Sequence, residues 1–155
     1  MSLNKIIVVF GLLLIAFGAF VFFQFNNKYS ALKPNGSVTI GTHTFDVEVV
    51  KSSKDEEIGL TKYRSIKEAQ GMLFFFTQPS SPTFWMKNMK FPIDIIFINN
   101  NTIVSFVQNV PAQLPTTQNP PLYQPEGASN YVLEINAGLV KKYNIKKGDN
   151  VTIKR

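Results

Sequence analysis

The sequence predicts a predominantly β α+β domain, a small curled sheet or barrel-like body with two short helices, behind an N-terminal transmembrane helix. Three observations carry this. Residues Ile6 to Phe23 form 18 consecutive positions without a charged or strongly polar side chain. The rest of the chain breaks into short β-type segments divided by Gly, Asn and Pro turns, a spacing that favours small barrels and curled sheets. With 45% apolar and 17% charged residues among 155, the chain has the composition of a folded protein, not of a disordered one.

The N-terminal run is long enough for a bilayer core, which takes roughly 20 apolar residues in a helix. It is apolar all round, unlike a surface helix of a soluble protein. Lys5 precedes it and Lys28 and Lys33 follow, so the positive-inside bias is nearly balanced. Residues 1–27 are expected to be an uncleaved anchor contacting the membrane through residues 6–25, with the C-terminal domain extracytoplasmic. The alternative is a secreted protein, cleaved near Ala16-Phe17-Gly18. Residues 28–37 read as a polar linker ending in Pro34-Asn35-Gly36, and 38–155 as the domain.

Within the domain, Val38 to Ile40 and Phe45 to Val50 read as strands joined by a turn at Gly41-Thr42-His43, which would expose His43. Phe45, Val47 and Val49 alternate with Asp46 and Glu48, the period of a half-buried strand. Ser53 with Glu56 three residues on matches a capping box, predicting a helix to about Lys62. Met72 to Phe76 reads as a buried strand and Thr83 to Lys87 as another. Ile93 to Ile98 is the most strand-like run, and Asn99-Asn100-Asn101 then turns the chain back through Thr102 to Val107. Tyr131 to Ile135 is a strand, Ala137 to Tyr143 a short helix, Lys147-Gly148-Asp149 a turn, and Val151 to Ile153 the last strand. Between Pro111 and Gly127, which holds five of the nine prolines, no periodic pattern exists. This stretch reads either as a lid with Tyr123 as its aromatic contact or as an extended crossing over a sheet edge.

Several chemistries are excluded. There is no Cys, hence no disulfide, thiolate metal site, cysteine nucleophile or lipoprotein attachment point, and there is one His. No metal and no cofactor is expected. Nucleotide-binding glycine loops and nucleophile elbows are missing from the sequence. Residues 28–155 carry a net charge of +5. Lys141-Lys142 and Lys146-Lys147 flank the second helix and read as a solvated face. An exported domain gives no role to nucleic acid.

Four features remain as candidates. On a strand, Trp85 and Lys87 would share one face, an indole beside an ammonium, suited to a sugar ring or an anion and equally to a Trp whose neighbouring Lys snorkels to water. Asn88 lies next to them. Asp94 interrupts a run fit for burial and must be hydrogen-bonded or paired, with Lys87, Lys90 and Arg64 as potential partners. Glu134 has the same character within Tyr-Val-Leu-Glu-Ile-Asn. Asp94 and Glu134 suit a catalytic acid/base pair, and equally two carboxylates that tie down loops.

These residues also carry a family resemblance. Gly59-Leu60, Gly71-Met72-Leu73-Phe74, Phe84-Trp85-Met86-Lys87-Asn88, the segment Pro92 to Ile98, Asn109-Val110-Pro111, the segment Tyr131 to Gly138 and the segment Ile145 to Val151 resemble the DUF192 family, in order and spacing over about residues 38–154. Departures are Tyr63, where the family usually has Arg (Arg64 is adjacent), Gln124 in place of Ser, and Ala128-Ser129 in place of Pro-Ala. The resemblance implies a compact β-rich domain with short helices and no established reaction. Three functions follow as expectations: a membrane-anchored binding or accessory module for envelope polysaccharide, wall fragments or an envelope protein; a hydrolase using Asp94 and Glu134; or a structural domain of an envelope assembly. Ligand contacts would come from Arg64, Trp85, Lys87, Asn88, Asp94, Tyr123 and Glu134.

Overall fold

The computed structural model describes residues 11, 13–21, 31–113 and 119–155. The chain divides into two compact units, Met1–Ser30 and Ala31–Arg155. In the first, residues 13–21 are helical and Leu13, Leu14, Ile15, Phe17 and Phe20 are exposed. No helix among the described residues is long and apolar enough to cross a membrane. Much of the expected span at 6–25 lies outside the described residues.

The second unit is one seven-stranded sheet: β1 (Gly36–Ile40), β2 (His43–Val50), β3 (Gln70–Ser80), β4 (Ile93–Asn99), β5 (Thr102–Val110), β6 (Ser129–Asn136) and β7 (Val151–Lys154). Its order is β5-β4-β6-β3-β2-β1-β7, with β2 and β3 parallel and the other neighbours antiparallel. The two edges meet at one end. Thr102 bridges Asn150, Gly148 N–H donates to Ile103 C=O (2.8 Å) and Val151 N–H to Asn101 C=O (2.8 Å). The sheet is thus a partly closed barrel, and joining its edges there removes open hydrogen-bonding groups.

Strand alternation sorts the apolar residues into two cores. The concave core holds Val38, Phe45, Val47, Leu73, Ile96, Ile98, Leu133 and Ile135, plugged by Leu139 and Val140 of the short helix α2 (Leu139–Lys142). The convex core holds Met72, Phe74, Ile93, Ile95, Phe97 and Val132. It is covered by Leu60 and Tyr63 after helix α1 (Ser53–Ile58) and by Met86, Met89 and Phe91. α1 with its following 3-10 turn (Gly59–Lys62) is the crossover that the parallel β2–β3 pair requires. Every apolar residue of β4 from Ile93 to Ile98 is buried because both faces of this strand are covered.

Asp94 fixes one end of the barrel. It is fully buried and accepts three backbone N–H bonds: from Asn109 (2.7 Å), Gly138 (3.1 Å) and Val140 (2.8 Å). Lys87, Lys90 and Arg64 are not its partners. A register shift between β4 and β5, where Ile93 faces Val110 and Ile95 faces Val107, places Asn109 there with φ 54°. Gly138, at φ 85°, turns the chain so that its own N–H and that of Val140 converge on the carboxylate.

Four local expectations are corrected. The cap of α1 is Ser52, one residue earlier than Ser53: its Oγ accepts from Asp55 N–H and donates to the Asp55 carboxylate. Residues 83–87 are irregular, and their only strand-type pairing among the described residues is a bridge between Phe84 and Tyr123. His43 is the first residue of β2, half-buried and stacked on Tyr143 at 3.9 Å. The linker does not reach residue 37: Leu32 is buried in the convex core, Asn35 Oδ1 accepts from Val49 N–H at 2.7 Å, and β1 begins at Gly36.

Asp94→Asn keeps the shape but leaves three amides facing a neutral, weaker acceptor. It should lower stability by about 2–3 kcal/mol and the thermal midpoint by roughly 5–10 °C. A midpoint within 1 °C of wild type would refute the tie.

Candidate functional site

Glu134 pairs across the sheet with Met72 on β3 and Ile95 on β4. It therefore points to the convex side. Asp94, one register position away, points to the concave side. The acid/base pair expected of these residues does not form, because adjacent antiparallel strands place residues of opposite parity on opposite faces.

On the convex side Glu134 lines a pocket of about 490 Å³, within the ordinary range for small-molecule sites. β3 contributes Phe74 and Phe76. The crossover contributes Ser53, Glu56, Glu57 and Leu60, and the segment after β3 contributes Thr83, Phe84, Trp85, Lys87 and Met89. Phe74 and Phe84 meet edge to face at 5.0 Å, so two elements distant in sequence make one aromatic wall. Trp85, 45% exposed, carries the Lys87 ammonium 5.1 Å from its ring centre. The indole–ammonium pair expected from the sequence is thus present, at the pocket mouth and without a strand beneath it.

Glu134 is 6% exposed and has no hydrogen-bond or ion-pair partner among the described residues. Burial pushes its carboxyl from 4.5 up to about 8, so it is mostly protonated at neutral pH. Glu48 provides a contrast. Burial tends to raise it, but hydrogen bonds from Lys62 (2.5 Å) and the Tyr63 hydroxyl outweigh that and hold it below the ordinary value. Tyr63 is itself pushed well up, by burial first and then by Glu48. This triad fastens the 3-10 turn, one wall of the pocket, to β2. Lys90 Nζ fastens the same turn from the other side, donating to Thr61 C=O and to Asn88 C=O, each at 2.8 Å.

The remaining candidates are placed separately. Asn88, at φ 64°, borders an adjoining depression that shares Trp85 and Lys87 with the pocket. Tyr123 exchanges two 2.9 Å backbone bonds with Phe84. It supports the wall from behind and does not line the pocket. Residues 114–118 of the proline-rich stretch lie outside the described residues. Arg64 is exposed and lines no described pocket. The sequence reading missed Phe74, Phe76, Phe84, Glu56 and Glu57. The parity of Met72, Phe74 and Phe76 was visible, but only the β3–β6 register brings it against Glu134. Among the described residues no cluster of three His, Cys, Asp or Glu exists to hold a metal.

The DUF192 family model, described as an uncharacterized ACR, matches residues 36–153. The chain belongs to this family. A crystal structure of a protein of unknown function from Novosphingobium aromaticivorans is 33% identical, with 78% of this chain and 84% of that chain covered and a TM-score of 0.64. A Sinorhizobium meliloti protein, provisionally described as a transcription regulator, is 28% identical over 80% of this chain and 98% of that one, with a TM-score of 0.69. Among curated proteins nothing matches.

The Glu134 shift gives a signed prediction. Between about pH 4.5 and 8 the folded state keeps a proton that the unfolded chain releases. Stability from this group is therefore lost as pH rises through that window, by up to about 1.4 kcal/mol per unit, and levels off above it. Glu134→Gln removes this titration and breaks no hydrogen bond. Its urea midpoint should exceed wild type at about pH 8–9 and converge with it near pH 5. A difference independent of pH would show that Glu134 titrates normally.

Proposed function

We propose that this DUF192 domain is a membrane-tethered, extracytoplasmic binding module whose pocket over Glu134 receives a small ring-bearing fragment of envelope glycan or wall material. One observation carries the reading: an aromatic-walled pocket of about 490 Å³ contains a carboxyl of a buried residue that has no partner among the described residues. A purely structural domain has no use for an unpartnered buried carboxyl, which only lowers its stability. The exposed Trp85 offers a flat face for a sugar ring, and Ser53, Thr61, Ser80 and Thr83 place hydroxyls around the pocket. A hydrolase of the two-carboxylate kind loses its support, because Asp94 is committed to backbone amides on the other face.

Tethering is supported by the uncharged run Ile6 to Phe23 and by the exposure of Leu13, Leu14, Ile15, Phe17 and Phe20 on its helical part. Water penalises such a surface and hydrocarbon does not.

Two outcomes are expected. In titrations against solubilised wall fragments and glycan oligomers, Trp85→Ala should weaken binding roughly three- to tenfold, the size of one ring-stacking contact. Binding of no envelope component, or binding indifferent to Trp85, would refute the reading. In cell fractionation the full chain should remain in carbonate-washed membranes, and a chain lacking residues 1–27 should not. Equal release of both would refute the tether.

A further inference from the structure

The charge inside the pocket is opposite to the charge of the domain around it. Residues 28–155 carry a net charge of +5, yet the pocket is lined by three carboxyl groups, Glu56, Glu57 and Glu134, and one ammonium, Lys87. Lys87 is exposed, rests over Trp85 and makes no ion pair among the described residues. Glu56 and Glu57 come from α1 and Lys87 from the segment after β3. The Glu134 cross-strand neighbours, Met72 and Ile95, do not titrate. Glu134 is therefore the one charge-bearing group deep in the pocket, among Phe74, Phe84 and Leu60.

We propose that the pocket recognises its ligand through a primary ammonium group, which pairs with the Glu134 carboxylate while the body of the ligand lies along Phe74, Phe76 and Phe84. The inference rests on the reading that this pocket binds a small envelope ligand, and it names the group recognised. Each ligand class meets the pocket differently. An anion faces three carboxyl groups. A neutral hydroxyl meets a protonated Glu134 and gains one ordinary hydrogen bond. An ammonium gains a charge-assisted bond in a water-poor site, together with the attraction of the aromatic faces for a cation. It also supplies the partner that a buried carboxylate requires.

The proton balance makes the proposal measurable. In the empty pocket Glu134 holds a proton at neutral pH. The incoming ammonium stays protonated, Glu134 ionises, and its proton passes to solvent, so one proton is released per ligand bound. Affinity for an amine should then rise as pH increases, approaching tenfold per unit below about pH 8 and flattening above it. A ligand held by protonated Glu134 through a hydroxyl should lose affinity over the same upper range.

The test uses calorimetry on the full chain in nonionic detergent, with two isosteric probe pairs. One is methyl 6-amino-6-deoxyglucoside against methyl glucoside. The other is Nα-acetyl-lysine amide against Nα-acetyl-6-hydroxynorleucine amide. The expected result is at least a tenfold preference at pH 8 for the amine of one pair, with proton release at pH 7 read from buffers of different ionisation enthalpy. The preferred pair tells a glycan amine from a peptide amine. Glu134→Gln should abolish both the preference and the proton release. Its own folding is checked by its thermal midpoint. Neutral probes that bind as well as the amines, or an amine preference that survives Glu134→Gln, would overturn this inference and leave the pocket as a binding site. Binding of none of the four probes or of any wall fragment would overturn both readings.

Discussion

The barrel depends on one carboxylate. Asp94 sits on β4, next to the β5 edge, has no access to water, and is held by three backbone amides from β5, from the turn after β6 and from α2. Those amides belong to the register shift at Asn109, the left-handed Gly138 and the first turn of α2, three irregularities with no regular partner of their own. The carboxylate satisfies all of them together. Without it the bulge has no reason to sit at Asn109, and α2, which plugs the concave core with Leu139 and Val140, loses its attachment. Parity then propagates the choice. With Asp94 fixed inward, Ile93 and Ile95 face outward, and so does Glu134 opposite Ile95.

The sheet therefore buries two carboxyl groups on adjacent strands and treats them in opposite ways. Asp94 is fully bonded and contributes to the fold. Glu134 has no partner among the described residues, and burial keeps it neutral at a free-energy penalty whenever the surrounding pH favours the ion. Gly71 keeps the strand bearing it close to β3: a Cβ at that position would lie 2.7 Å from the Glu134 carbonyl oxygen. A sequence with only stability to satisfy would place Met or Leu at position 134, as it does at Met72 and Ile95 alongside. The same group thus marks a departure from local consistency and lines the pocket.

Much of this was legible from residue order alone. Alternation in Phe45 to Val50, the apolar block Ile93 to Ile98 and the Asn turn after it placed three strands, and the oddity of Asp94 and Glu134 singled out the two carboxyl groups. Their relation was not legible, because it depends on a one-position offset between β4 and β6 that no local pattern encodes. The strand expected at Thr83 to Lys87 failed for a related reason. Its aromatic residues suit a strand, but Phe84 is used as a plug against Phe74 and Phe97, and only one bridge to Tyr123 forms. Asn88, with φ 64°, then turns the chain away. The cap of α1 fell at Ser52 because Asp55, three residues on, bonds its hydroxyl twice, donating its N–H to Ser52 Oγ and accepting the Ser52 O–H at its carboxylate.

The division of labour between the faces has a consequence for how such a domain can vary. The concave core and the Asp94 knot hold the strands. The pocket is built almost entirely from what is laid over the convex face: α1 and its 3-10 turn within the β2–β3 crossover, and the irregular segment from Pro82 to Met89. Both are long connections, and both are fastened by side chains, Glu48 to Lys62 and Tyr63 on one side and Lys90 to Thr61 and Asn88 on the other. Substitutions at Glu56, Glu57, Trp85 or Lys87 can change the charge and shape of the mouth without touching a ladder hydrogen bond. Substitution at Glu134 cannot be separated from the sheet in the same way, since its backbone pairs on both sides. The floor of the pocket is therefore set by the fold, and the rim is where specificity is free to change.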